Sequence, residues 1–378
     1  MPLITETIDD ARALTAHVRE WDALAVAARR PMCAPGWALA WWSAAAPEGA
    51  RLCAVTVHED GCLVGLAPGY LERRAGRHAR LRMLAAAISA RVEPLAAPGR
   101  EADVAAAVAA AWARARPGEV MLEGLDGRMR WARLLTELWP GGARSIPVRR
   151  GIAPFVDLSG GYDAWLAARS RNFRSKMRQS RRRLGAAGGT VRRATGDSDI
   201  TRAVEALVGH HLARFAPRGG SRAVDAGVKR TLFEAAGRLA AGDRARLWIV
   251  EVGEAIVASN LFLAAGGEVS YWLGGYDEAW GATQPSLLCI QAAIEDAARR
   301  GESRVDLGEG TDWYKYRFAV EDEPLHWAAV VPHGAAEGLV LFDHLAQRAR
   351  RAAATRAPER LKDVVRRRGR AKPRPAAG

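Results

Sequence analysis

Between Arg244 and Arg300 the chain commits itself to a layered sheet. "RARLWIVEV", "AIVASNLFLAA" and "EVSYWLGGY" are apolar runs of strand length, joined through Gly253–Glu254 and through Gly266–Gly267. Turns this short make neighbouring strands antiparallel. The stretch from Thr283 to Arg300 then spaces Leu287, Ile290, Gln291, Ile294 and Ala298 along one helical face, with Pro285 near its start and Gly301 past its end. "SRVDLGEG" and "PLHWAAVV" read as further strands. A meander, a crossover helix and a returning strand predict a mixed α/β (α+β) structure, a mostly antiparallel sheet with flanking helices.

The first half repeats this plan less clearly. "RLCAVTVH" and "CLVGLAPGYLER" form a hairpin about "EDG"; "EADVAAAVAAAWARA" is a helix, "EVMLEGL" a buried strand, "RWARLLTELW" a helix and "GIAPFVDL" a strand. Ahead of them, "DDARALTAHVREWDALA" reads as one helix and "APGWALAWW" as another, with no recognisable strand before Arg51. The expected organisation is two tandem modules, 1–157 and 158–345, and a basic tail, 346–378. A chain of 378 residues, 49% of them apolar, can bury two such cores.

Several function classes are disfavoured at once. No apolar run approaches the ~20 residues of a spanning helix, and the acidic start lacks the order of a signal peptide. Cys33, Cys53, Cys62 and Cys289 have no C-x-x-C spacing, which argues against a metal site or a disulfide framework. Reduced thiols and a cytoplasmic location are the expectation. Neither G-x-x-x-x-G-K-[ST] nor G-x-S-x-G nor H-E-x-x-H occurs. His210 and His211 lie in a helical pattern and read as surface or satisfied core residues.

The net charge of +14 is concentrated in two places. From Arg348 onward twelve Arg and Lys face only Glu359 and Asp363. That composition allows a short helix at most before disorder, and a loose attraction to anionic lipid or nucleic acid. The other place is "SRNFRSKMRQSRRRL", seven cations and no acid. There Phe173, Met177, Ser180 and Leu184 share one face, so the segment is an amphipathic helix with a narrow buried seam. Its cations are either a solvated face or the contact for a phosphate-rich ligand.

Two loops could carry chemistry. In "GGYDEAWGATQPSLL" a helix starts at a strand's end, where unpaired N–H groups and the helix dipole attract phosphate. Thr283, Gln284 and Ser286 add donors, and Gly274, Gly275 and Gly281 would let a ligand approach the backbone. A plain capped loop is the other reading. In "DLGEGTDWYKYRF" a strand-end turn gathers Asp306, Glu309, Tyr314, Lys315 and Arg317. Acyl transfer to an amine needs a base and an oxyanion donor; Asp306 or Glu309 could be the base, and Tyr314 or Tyr271 the donor. A salt-bridged turn is the alternative.

"SRNFRSKMR", the aromatic strand ending "GYD" and the "DLGEG…YK" turn, in this order, resemble the BioF2-like or CelD-like branch of the GNAT N-acyltransferases, related to the Fem-type double-GNAT enzymes. The resemblance runs over about residues 20–332. It implies two GNAT-like modules, with the cleft in or beside the second. It also implies an acyl-CoA donor without a metal, and a small-molecule amine acceptor, often in polysaccharide or envelope pathways. Carried over residue by residue, it reaches Tyr276, Asp277, Asp306, Gly308, Tyr314 and Lys315, and Asn172, Phe173, Arg174 and Lys176 in the basic helix. Arg171, Arg174 and Lys176 would then face the phosphates of the carrier, with Tyr276, Asp277, Lys315 and Arg317 towards substrate. "GATQPS" replaces the usual pyrophosphate loop, which keeps open a Fem-type aminoacyl-tRNA donor, and a non-catalytic polyanion-binding protein on the same scaffold.

Overall fold

The computed structural model describes residues 2–73, 78–221, 223–240 and 242–356. The first half runs β1 (Ile4–Ile8), α1 (Ala11–Thr15), α2 (Val18–Ala27), α3 (Pro35–Ala45), β2 (Arg51–Leu52), β3 (Ala54–Glu59), β4 (Cys62–Ala67), β5 (Gly69–Arg73) and β6 (Ala79–Met83). It continues through β7 (Leu95–Ala96), α4 (Glu101–Arg114), β8 (Glu119–Leu125), α5 (Arg130–Glu137) and β9 (Ala143–Asp157). The second half adds α6 (Gly161–Ala167), α7 (Arg171–Ala186), β10 (Gly189–Arg193), α8 (Asp197–Phe215), α9 (Ala226–Ala240), β11 (Ala245–Val252), β12 (Ala255–Ala265) and β13 (Glu268–Tyr276). After these come α10 (Pro285–Arg299), β14 (Arg304–Asp306), β15 (Glu321–Pro332) and α11 (Glu337–Arg356).

The mixed α/β expectation holds. One sheet runs β10-β11-β12-β13-β14-β9-β15-β8-β6-β5-β2, and a smaller one runs β1-β3-β4-β7. Almost every pairing is antiparallel; the parallel ones are β6 with β8 and β13 with β14. Each parallel pair brackets a crossover helix, α4 in one half and α10 in the other, the connection that parallel neighbours require.

Strands β11 and β12 are apolar almost throughout because both faces are covered. Leu247, Ile249, Leu261 and Leu263 join the core that also takes in α8 and α9. Trp248, Val250, Phe262 and Ala264 point into the other core, formed with α7 and α10. The basic helix α7 buries Phe173, Met177, Ser180 and Leu184, the expected seam. Ser170 caps it, its hydroxyl accepting from the Phe173 N–H at 3.1 Å. Phe173 meets Trp165 and Phe318 edge-on, and those two rings stack on each other.

Four details differ from the sequence reading. "ITETI" is a strand, β1, on the edge of the small sheet; only Ile8 is buried, so its alternation is faint. The first helix breaks at Ala16–His17 into α1 and α2. β9 begins at Ala143, well before "GIAPFVDL", because β15 pairs along its length from Ala143 to Phe155. α11 starts at Glu337 and crosses the expected start of the tail. The rest of the tail, 357–378, lies outside the described residues.

Candidate active-site cleft

A cleft of about 650 Å³ opens between elements of both halves. Its walls include Trp41 on α3, the loop ending at Arg91, Tyr271 and Trp272 on β13, the Asp306–Glu309 turn and Trp327 on β15. The β13–β14 ladder stops at Ser270 opposite Asp306. Beyond it the chain turns toward β9, where Leu307 and Gly310 donate their N–H groups to Pro154 and Ile152. Gly308 takes φ +75 and passes the Tyr271 carbonyl so closely that a Cβ would stand 3.1 Å away.

Asp306 is buried, and both its oxygens are occupied. Oδ2 accepts from Arg91 Nε at 2.6 Å and Oδ1 from the Gly308 N–H at 2.7 Å. Arg91 also donates to Glu323 at 2.9 Å, which receives Arg304 at 2.5 Å. Burial disfavours charge on the Arg91 guanidinium, but the carboxylates of Asp306, Glu323 and Glu268 outweigh it and hold the cation firmly. Glu268, buried beside them, has its carboxyl pushed up by burial and by Asp306, and its Oε1 makes no hydrogen bond.

Glu309 stands differently, with about a third of its side chain exposed and Oε1 at 2.5 Å from Arg149 Nη2. The Arg149 guanidinium carbon lies over Trp327, 3.7 Å from the ring centroid. Tyr271 and Tyr314 hydrogen-bond through their hydroxyls; burial raises both, Tyr314 to about 12, so both stay protonated at neutral pH. Asp306, Glu309 and Tyr271 therefore border one cleft, but the Tyr271 ring packs against Phe262 in the core formed with α7 and α10, and Tyr314 joins it there rather than lining the cleft.

The remaining expected residues fall elsewhere or serve the fold. Lys315 is buried and clamps the turn, Nζ donating to the carbonyls of Gly308 at 3.0 Å and Glu309 at 2.6 Å. Asp277 caps the short helix 278–283 through the Ala279 N–H at 2.9 Å. The Tyr276 ring carries the Arg214 guanidinium at 5.2 Å. Thr283 donates to the Trp280 carbonyl, and Ser286 to Asn260 Oδ1, so neither hydroxyl points out as a phosphate donor. Gln284 is left-handed at φ 52, and its side-chain oxygen accepts from Arg317 at 3.5 Å. Pro285 removes one N–H from the first turn of α10, and the Leu287 and Leu288 N–H groups are bonded to the Gln284 carbonyl.

Gly274 and Gly275 admit protein, not ligand. A Cβ on Gly274 would meet Tyr271 and Asn260 at 2.5 Å, and one on Gly275 the α8 backbone at 2.6 Å. Arg171 and Lys176 are exposed on α7, and Arg174 bonds the Ala167 carbonyl at 2.8 Å. Arg317 links these parts, its guanidinium over Phe173 of α7 and its Nη1 on the first residue before α10. His210 Nε2 donates to the Ile256 carbonyl and His211 Nε2 hydrogen-bonds the Ser221 hydroxyl, both at 2.8 Å, in structural roles. Sequence reasoning missed Arg91, Arg149, Trp272 and Trp327, because no local pattern distinguishes them. No group of His, Cys, Asp and Glu able to hold a metal occurs among the described residues.

Residues 171–316 match the family model of the acetyltransferase (GNAT) domain. Among solved structures, FemX superposes on 90% of this chain and 100% of its own with a TM-score of 0.63 at 12% identity. The C-terminal DUF2156 domain of a putative lysylphosphatidylglycerol synthetase from Agrobacterium fabrum gives 0.55 over 87% and 95% of the two chains, at 14% identity. L-PGS from Bacillus licheniformis gives 0.53 over 89% and 96%, at 12% identity. At such identities the likeness establishes the fold. No curated protein matches the chain. Residues 171–316 are thus similar to a GNAT acetyltransferase domain, and the chain shares the fold of these solved structures.

Proposed function

We propose that this protein is a GNAT-type N-acyltransferase that moves an acyl group from acyl-CoA to a small amine bound in the cleft. The observation that carries this reading is the cleft wall at the end of the β13–β14 ladder, bordered by one accessible carboxylate, Glu309, and by Tyr271, whose hydroxyl is bonded to Tyr314 and stays protonated. An ammonium acceptor must lose a proton before its nitrogen attacks the thioester carbonyl, and the departing thiolate must gain one. Glu309 is the base in this scheme, because Asp306 is engaged at both oxygens. The Tyr271–Tyr314 pair supplies the donor. The phosphates of the carrier would lie against Arg317 and the exposed Arg171 and Lys176, since the hydroxyls at the start of α10 are turned to the protein.

That last feature favours a second reading, aminoacyl transfer from a charged tRNA along the acid-free face of α7. Titration calorimetry with CoA and acetyl-CoA, and mass spectrometry of amines incubated with acetyl-CoA, test the first. We expect binding, and a product whose rate falls ~10²–10⁴-fold in Glu309→Gln. No heat at millimolar ligand, with the fold intact, rules out the CoA donor. Binding of tRNA that survives removal of 357–378 would favour the second reading. A rate unchanged by Glu309→Gln removes the proposed base.

A further inference from the structure

Helix α11 turns an apolar ridge away from the protein. Leu339, Phe342 and Leu345 are 64%, 68% and 63% exposed. The helix is fixed from its other side: Val340 packs on Met121, Ala329 and Val331, and His344 Nε2 lies 2.6 Å from Glu119 Oε2. At about 100° per residue the two sets fall on opposite faces. Rolling the helix to hide the ridge would break the contact to Glu119, whose side chain has no solvent exposure.

The charge beside the ridge selects what could cover it. Arg348 and Arg350 are exposed one turn further on, and from Arg348 to the last residue twelve Arg and Lys face two acids. Like charge disfavours folding that segment back beside these arginines. A nucleic acid would satisfy the cations but offers nothing to Leu339, Phe342 and Leu345. An apolar ridge with a cationic flank on a surface helix fits the interface of an anionic bilayer.

We propose that α11 docks this protein on anionic membranes, Leu339, Phe342 and Leu345 entering the headgroup boundary while Arg348 and Arg350 meet anionic headgroups. This stands independently of the transferase reading. The test is cosedimentation of the full chain with phosphatidylcholine vesicles with and without phosphatidylglycerol. We expect binding that requires phosphatidylglycerol, weakens with salt, and falls at least about tenfold in the Leu339→Ser, Phe342→Ser, Leu345→Ser triple variant. Hydrogen exchange of the unmodified protein should show new protection in 337–350 on vesicles. Equal vesicle binding by the triple variant would overturn the proposal. So would sedimentation with RNA but not with vesicles, or a dimer that the triple variant dissolves while vesicle binding is unaltered.

Discussion

Asp306 holds Arg91 across 215 positions of sequence, and the pair is almost fully buried. Breaking such a pair strands a desolvated charge, so Asp306→Ala should cost about 3–5 kcal/mol of stability in urea unfolding. Glu309→Gln touches an ion pair open to water and should cost at most about 1 kcal/mol. The contrast separates the buried carboxylate that builds the cleft wall from the one open to solvent. Glu119 gives a second test. Its burial would raise its pKa, but bonds from His344, Arg80 and His78 overcome this and hold it at about 2, below its ordinary 4.5. A depressed carboxyl adds stability above its ordinary value and loses it as the pH falls from about 4.5 toward about 2. Melting temperatures across that window should drop more steeply in the parent than in Glu119→Gln.

At the scale of elements, α7 and its neighbours show what a sequence discloses. The seam of Phe173, Met177, Ser180 and Leu184 was readable because helical period and burial coincide there. Met177→Ala should therefore cost about 2–5 kcal/mol and Arg182→Ala, on the exposed face, less than about 0.5 kcal/mol in thermal unfolding. The β11–β13 meander was equally legible, its turns being marked by glycine. The "DLGEG" turn was visible as a cluster, but the division of labour within it was not. Only tertiary partners distinguish Asp306, pinned by Arg91, from Glu309, resting on Arg149. The donors expected before α10 misled for the same reason: Ser286 is next to Asn260 in space, 26 residues away in sequence.

At the scale of the molecule, the two halves share one sheet. β15, from the end of the second half, lies between β9 and β8 of the first. A fragment of residues 158–356 would leave β14 and β15 without β9, two open strand edges of the kind that aggregate. We expect that fragment to be insoluble or oligomeric by size-exclusion chromatography, where the full chain elutes as a folded species. The same inserted strand bears on how the protein is made. The ribosome delivers β8 about two hundred residues, and β9 about 165 to 190 residues, before the piece that zips them together. Throughout that interval the nascent first half waits with a gap in its backbone ladder, a vacancy for chaperones to guard during translation.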